Sequence, residues 1–482
     1  MIPFIGFAPD SDPTTPGVIT DCTHLIPSEK GMVAAPSAVD PGHDALVDDC
    51  RGAAVLINTT GIRRTVSGTQ SKLYELNSDT WTDVSTGTYT GSTENRWMFA
   101  QFGNVALATN DVVRLQASTA GTFATVAGAP IARMIVGAEN FALAFDTSEA
   151  TYGDSPDRWW CSSFQDPYSW TASVTTQATT GRLIGSGGQI TAAARFGSQV
   201  IAYKRWNMFV GQYVGAPIVW QWDRVPGEVG CVGPEAVVDI GGAHIFVGDD
   251  NIWLYDGTRP IPISQNFVRQ WFYDNSSATY RYRTIVTYDR QTNRVWFFYA
   301  STSNSDGTPD AALVYHVHTK RWGRSNRTVE ASINYITPGL TWDTLNTLSA
   351  TWDALPGVPW DSQSWQAQGQ ALGIFNSSHV LVVLTGTGED SGLTTGDVGD
   401  DFDDTMITML RLRFLTSPTT GNCQGFYKNG EGDAFTTGAT NPYTNNKFDV
   451  RQTAKFHRFA FTFTGNMETT GIAMKAVPAG GR

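Results

Sequence analysis

The stretch Glu235–Trp322 decides the fold: EAVVDIGGAHIFVGDDNIWLYDGTRPIPISQ (235–265), YRTIVTYDRQTNRVWFFYA (282–300) and DAALVYHVHTKRW (310–322). Short alternating apolar runs are separated by GDDN, YDG, DRQTN and HTK, whose Gly, Asp and Asn residues tolerate the backbone angles of tight turns. Small β-units that follow one another without helices predict a propeller-like or sandwich-like all-β body. The same grammar extends outward: AAVLINTT from Ala53, KLYELNSDTWTDVS from Lys72, WMFAQFGNVALATNDVVRLQ from Trp97 and IVGAENFALAFDT from Ile135. DRWWCSSFQDPYSW from Asp157, RFGSQVIAYKRWNMFVGQYVG from Arg195 and IVWQWDRV from Ile218 continue it. The repeat is about 40–50 residues, the size of a propeller blade, and six to seven units fit between Ala53 and Leu340. KLYELNSDTW and ALVYHVHTKRW share an apolar–Tyr–turn–Trp order, that of an outer hairpin whose aromatic packs between neighbouring sheets. One helix is predicted in SQNFVRQWFYDN from Ser264, with Ser264 as N-cap and Val268, Trp271 and Phe272 on one face.

Four regions follow. Residues 1–50, rich in Pro, Asp and Ser, read as an extended N-terminal arm lying on something else. Residues 51–340 form the propeller-like platform. Residues 341–370 carry Trp-Asp pairs at 342/343, 352/353 and 360/361 and read as a linker clamped by indoles. Residues 371–482 form a C-terminal β region with tip loops, the acidic one at GDVGDDFDD from Gly396. The fold class is all-β, a β-propeller-like platform with additional C-terminal β-hairpins or a β-domain.

Composition narrows function. The 48 Gly, 16 Trp, 16 Tyr and 25 Phe among 482 residues suit turn-dense, flat-packed sheets. Charged residues are only 16%, against about 25% in typical soluble proteins, as expected of a surface partly covered by neighbours. A formal net charge of −12 argues against a protein that grips DNA through a Lys/Arg footprint; an acidic wall instead repels phosphate and lets a strand slide. Five scattered cysteines (Cys22, Cys50, Cys161, Cys231, Cys423) without CxxC spacing predict reduced, structural thiols. The start lacks a basic signal-peptide region, and HVLVVLT from His379 is too short to span a bilayer, so neither secretion by that route nor membrane insertion is expected.

No motif announces catalysis. GSGG at Gly185 lacks the strand-to-helix context and Lys-Ser/Thr of a phosphate loop and reads as a turn. Asp249 and Asp250 serve a hairpin tip. His316 and His318 share a strand face, but with His457 remote they make no metal set. Asp400, Asp401, Asp403 and Asp404 lack the spacing of a calcium loop and read as a solvated or lumen-facing tip. SNSDGTPD at Ser303 is close to a sialidase Asp-box turn but lacks its following aromatic. No catalytic, cofactor or metal residue is assigned.

The order of features resembles the nozzle (tail hub, or tail tubular protein B) family of short-tailed bacteriophages. The resemblance rests on the F-x-P-D-x-D-P-x-x-P-G arm (Phe7 to Gly17), the GGAHIFVGDDNIWLYDGTRPIPIS hairpin, YDRQTNRVWFFY…ALVYHVHTKRW, the TWD-type repeats and FDVRQTAKFHRFAFTFTG…TGIAMKAVPAGGR. It spans nearly the whole chain through degenerate motifs in a shared order; the segments 386–404 and 424–446 carry none. The resemblance implies a structural virion protein, made in the host cytoplasm and forming a homo-hexameric ring below the head–tail adaptor. That ring would meet a tail fibre or needle/tip protein and hold, then pass, genomic double-stranded DNA without sequence-specific binding. Phe7, Pro9 and Asp10 in the arm, and Trp342, Trp352, Trp360 and Trp365, are then the expected contacts between copies or with partners. A glycan-binding or glycan-hydrolysing propeller, acting as a receptor-binding tail protein, is the alternative.

Overall fold

The computed structural model describes residues 1–185, 187–336, 370–400 and 402–479. Its secondary structure is almost entirely strand, with one short α-helix, Arg269–Asn275. Six self-contained four-stranded antiparallel sheets and a seventh four-stranded unit, whose sheet continues beyond the ring, form a β-propeller. The innermost strands are Ala53–Ile57, Met98–Phe102, Ile131–Ala138, Ile190–Phe196, Val237–Asp239, Ile285–Asp289 and Ala331–Ile336 for blades one to seven. They pack in order around one axis, and that of blade seven meets that of blade one.

The sequence pattern explains the stacking. Strands sandwiched between blades lose their alternation because both faces are covered: Ala311–His316 in blade six is buried at every residue. Outer strands keep it, and Thr80–Asp83 buries only Trp81. Trp81 lies 5.7 Å from Phe375 of blade seven, and Trp222 of blade four lies 5.7 Å from Phe145 and 5.4 Å from Trp159 of blade three. The outer-strand Trp of one blade thus packs onto the preceding blade. Trp322 differs: it sits against Tyr315 and Phe297 of its own blade and in a core shared with Phe4 and Phe7.

The ring closes with the N-terminus. Pro36–Val39 pairs with Leu381–Gly388 as the outermost strand of blade seven, after Ala331–Ile336 and Gln370–Phe375. Residues 370–388 therefore belong to the propeller rather than to the C-terminal region. Ile336 pairs with Gln370, so the described residues on either side of the Trp-Asp segment are paired strands of one blade. Trp342, Trp352, Trp360 and Trp365 themselves lie outside the described residues.

A second β-module is built from both ends of the chain. One of its sheets continues blade six: Trp322–Asn326 is followed by Leu25–Pro27, Met32–Ala34, Glu468–Pro478, Thr405–Thr416 and Gln452–Ala454. The other runs Gly6–Phe7, Val18–Thr23, Ser391–Thr395, Phe456–Thr464, Thr420–Lys428 and Thr436–Pro442. Phe459, Phe461 and Phe463 bury one face of their strand while Ala460, Thr462 and Thr464 point the other way, the period-two pattern of a sheet with one face in a core. Residues 1–50, expected as an extended arm lying on something else, lie on this chain itself. Their apolar residues complete this chain's own sheets, and Phe7 is fully buried.

Candidate functional site

The residues that lead into the innermost strands collect charge at one mouth of the propeller axis. Arg96, just before blade two, pairs through Nε with Glu235 of blade five (2.6 Å), and its Nη2 donates to the Glu330 carbonyl of blade seven (2.9 Å). Arg283 of blade six pairs with Glu94 of blade two, and Tyr282 donates its hydroxyl to the same carboxylate. Arg51 donates to the Thr93 carbonyl (3.1 Å) and pairs with Asp49 (2.6 Å). Blades that are not neighbours around the ring are thereby tied across the axis.

Backbone geometry brings the strands close enough for this. A Cβ on Gly233 would lie 1.8 Å from the Tyr282 carbonyl oxygen, and one on Gly52 would lie 2.2 Å from that of Trp97. Cys50 and Cys231 repeat one another here: each thiol donates to the carbonyl two residues on, Gly52 and Gly233. Burial pushes both thiols up to about 12, so they are inert packing groups. All five cysteines are buried and unpaired.

The electrostatics follow from the pairing. Burial pulls the Arg96 guanidinium down, but Glu235 outweighs it, and the group stays firmly charged. Burial raises Glu94, while Tyr282 and Arg283 bring it below its ordinary range. Glu330 is raised by burial, partly offset by the Cys50 N–H and by His379. Beside the mouth a cavity of about 200 Å³ is lined by Arg133, Gln189, Thr191, Val232, Gly233 and Tyr282. Asp146, 3.8 Å from Arg133, is raised to about 7 by burial and by the nearby charge of Asp111. Ion pairs at the mouth hold the ring, whereas Asp146 keeps a proton that can be exchanged near neutrality.

The sequence-derived candidates are placed elsewhere. Phe7 packs edge-on against Trp271 at 5.0 Å inside the chain. Pro9 is half-buried. Asp10 accepts the backbone N–H groups of Gln270 (2.5 Å) and Trp271 (3.0 Å) and so caps the helix that Ser264 was expected to cap. Ser264 instead hydrogen-bonds Asn251 and Ile252. Asp400 is exposed and accepts the N–H groups of Phe402 and Asp403, which lowers its carboxyl. Asp403 is exposed and Asp404 half-buried, while Asp401 lies outside the described residues.

His316 and His318 stand 3.5 and 3.7 Å from Glu29, and His457 is satisfied by Gln452 and by the carbonyls of Thr405 and Ala454. Asp249 pairs with Arg205, and Asp250 accepts from the Trp253 indole. Gly185 lies in the connection from blade three to blade four. The Asn304 side chain turns the Ser303 loop by accepting the N–H groups of Asp306 and Gly307. Among the described residues, the His/Cys/Asp/Glu group with converging ligand atoms is Asp49, Glu330 and His379. Motif reading missed it, and missed the arginines of the mouth. Asp49, Glu94, Arg96, Glu235, Arg283 and Glu330 all fall one to four residues before an innermost strand, a signal that aligning the blades with one another exposes.

No family model and no curated protein matches the chain. Among solved structures, the chain is similar to the computationally designed Ika8 protein (12% identity, TM-score 0.36, covering 71% of this chain and 98% of that one). It is also similar to YCF48 bound to D1 peptide (12%, 0.36, 74% and 97%) and to YCF48 from Cyanidioschyzon merolae (10%, 0.36, 73% and 98%). With TM-scores of 0.36 these likenesses carry no argument about this chain. Its own strand order and blade packing make the chain an all-β protein containing a β-propeller.

Proposed function

We propose that this chain is a non-catalytic building block of a short bacteriophage tail. It would form a homo-hexameric nozzle below the head–tail adaptor that surrounds the DNA ejection channel and receives a fibre or tip protein. The observation that carries this reading is the fusion of propeller and β-module into one body. Blade six and the module share a sheet of backbone hydrogen bonds, and a single apolar core runs through both. Such a body transmits load without a hinge, as a tail segment under genome pressure requires. Ion pairs bridge the propeller axis, so in this reading DNA passes between subunits at the centre of the ring. The acidic composition of the chain lets it slide there. Negative-stain microscopy and native mass spectrometry of the full chain test the proposal. A six-fold ring with an open centre is expected, and a monomer at every concentration overturns it.

A second reading, a glycan-binding or glycan-hydrolysing propeller, draws on Asp146, which holds a proton near neutrality beside Arg133 and Asp111. Glycan binding or cleavage lost in Asp146→Asn would favour it over the nozzle.

A further inference from the structure

The ring is sealed where the lead into blade one meets blade seven, and three potential metal ligands converge at that seam. Asp49 precedes blade one, Glu330 precedes the innermost strand of blade seven, and His379 sits at the tip of the same blade's next hairpin. His379 Nδ1 is 2.8 Å from Glu330 Oε1 and 3.6 Å from Asp49 Oδ1. All three ligand atoms lie within 4.8 Å of one another. Around a cation with bonds of about 2.1 Å, neighbouring donors stand about 3.0–3.4 Å apart, a range that the two distances from His379 bracket.

The second oxygens are already committed to orienting contacts, as metal-binding carboxylates are. Glu330 Oε2 accepts the Cys50 N–H (2.9 Å) and Asp49 Oδ2 accepts from Arg51 (2.6 Å). The Leu46 N–H fixes the hairpin by donating to the His379 carbonyl (3.0 Å). Beside them opens a cavity of about 20 Å³ whose lining includes Asp49, Cys50 and Glu330 together with Arg51, Arg96 and Arg283, enough for a water to complete a coordination sphere. Around the ligands, Glu235 and Glu94 are taken up by Arg96 and Arg283, and Arg51 pairs with Asp49, so the negative charge that would hold a cation is that of Asp49 and Glu330 themselves.

We infer that Asp49, Glu330 and His379 form a divalent metal site that clasps the first blade to the last. One imidazole and two carboxylates suit Zn²⁺ best. The inference goes beyond the proposed tail role and stands apart from it.

Titration calorimetry of the EDTA-stripped full chain with ZnCl₂ tests the site. One equivalent should bind and raise Tm. Asp49→Asn and His379→Ala, both at partly exposed positions, should each weaken binding at least tenfold and erase the rise in Tm. His318→Ala, which alters the other histidine pair, should change neither. Absence of saturable binding to the parent chain overturns the inference, as does parent-like affinity in Asp49→Asn, which decides the matter alone if His379→Ala fails to fold.

Discussion

Gly68 ends the second strand of blade one with no room for a side chain: a Cβ there would lie 2.2 Å from the Trp97 ring, whose indole donates to the Thr69 carbonyl (2.7 Å). Trp97 is fully enclosed and cannot swing away. Gly68→Ala should therefore cost about 1–3 kcal/mol of stability, and a urea midpoint equal to the parent's would refute this packing. His244 shows a different constraint. It accepts from the Tyr203 hydroxyl at Nδ1 (2.7 Å) and donates from Nε2 to the Arg195 carbonyl (2.8 Å), so it is held neutral, and burial lowers its pKa. Asp146 works in the opposite sense. It ionises near pH 7 in the folded chain and near 4 when unfolded, so the unfolded chain releases its proton first as pH rises. Its contribution to stability is intact below about pH 4, declines up to about pH 7 and is then gone. Asp146→Asn should be less sensitive than the parent over that window by roughly 2–4 kcal/mol. Denaturation at pH 4 and pH 8 measures this, and identical pH slopes for the two proteins would contradict it.

At the scale of elements, the helix Arg269–Asn275 has no cap of its own: Val268 stands at its N-cap without a side-chain hydrogen bond. Asp10, some 260 residues away, fills that role. Asp10→Ala should cost about 0.5–2 kcal/mol and speed hydrogen exchange at the Gln270 and Trp271 amides. Unchanged exchange there would show that another group satisfies them. This element also shows what was legible in the sequence. The face formed by Val268, Trp271 and Phe272 was readable because helical spacing is local, but the cap was not, because nothing around Ser264 signals a partner so distant. The hairpins of Glu235–Trp322 were equally legible, since DRQTN and HTK turn strands that pair with their immediate neighbours. The pairing of Val18–Thr23 with Ser391–Thr395 was not: alternation fixes which face is buried, never which strand lies alongside. The charged mouth was hidden for the same reason, its groups being scattered over five blades and converging only once the ring is closed.

Across the whole molecule, the N-terminal 39 residues hold the architecture together. Leu25–Pro27 pairs with blade six through Arg324 and with Met32–Ala34, which pairs in turn with Glu468–Pro478; Pro36–Val39 then closes blade seven. One short segment thus joins the propeller to the module and the last blade to the first. Phe4, Phe7 and Ile19 from this segment lie in one apolar cluster with Val295 and Phe297 of blade six and Phe459, Phe461 and Phe463 of the module. Unfolding either part would expose the apolar face of the other, at about 25 cal/mol for each Å² uncovered. The two parts should therefore melt together despite a length at which separate domains are common. Calorimetry of the full chain is expected to give one transition whose van't Hoff and calorimetric enthalpies agree. Deletion of residues 1–34 should abolish it, not lower it, because that removes strands from both sheets of the module at once. Two resolved transitions in the intact chain, or a truncated chain that still melts cooperatively, would mean that propeller and module fold independently and that the shared sheet is not what binds them.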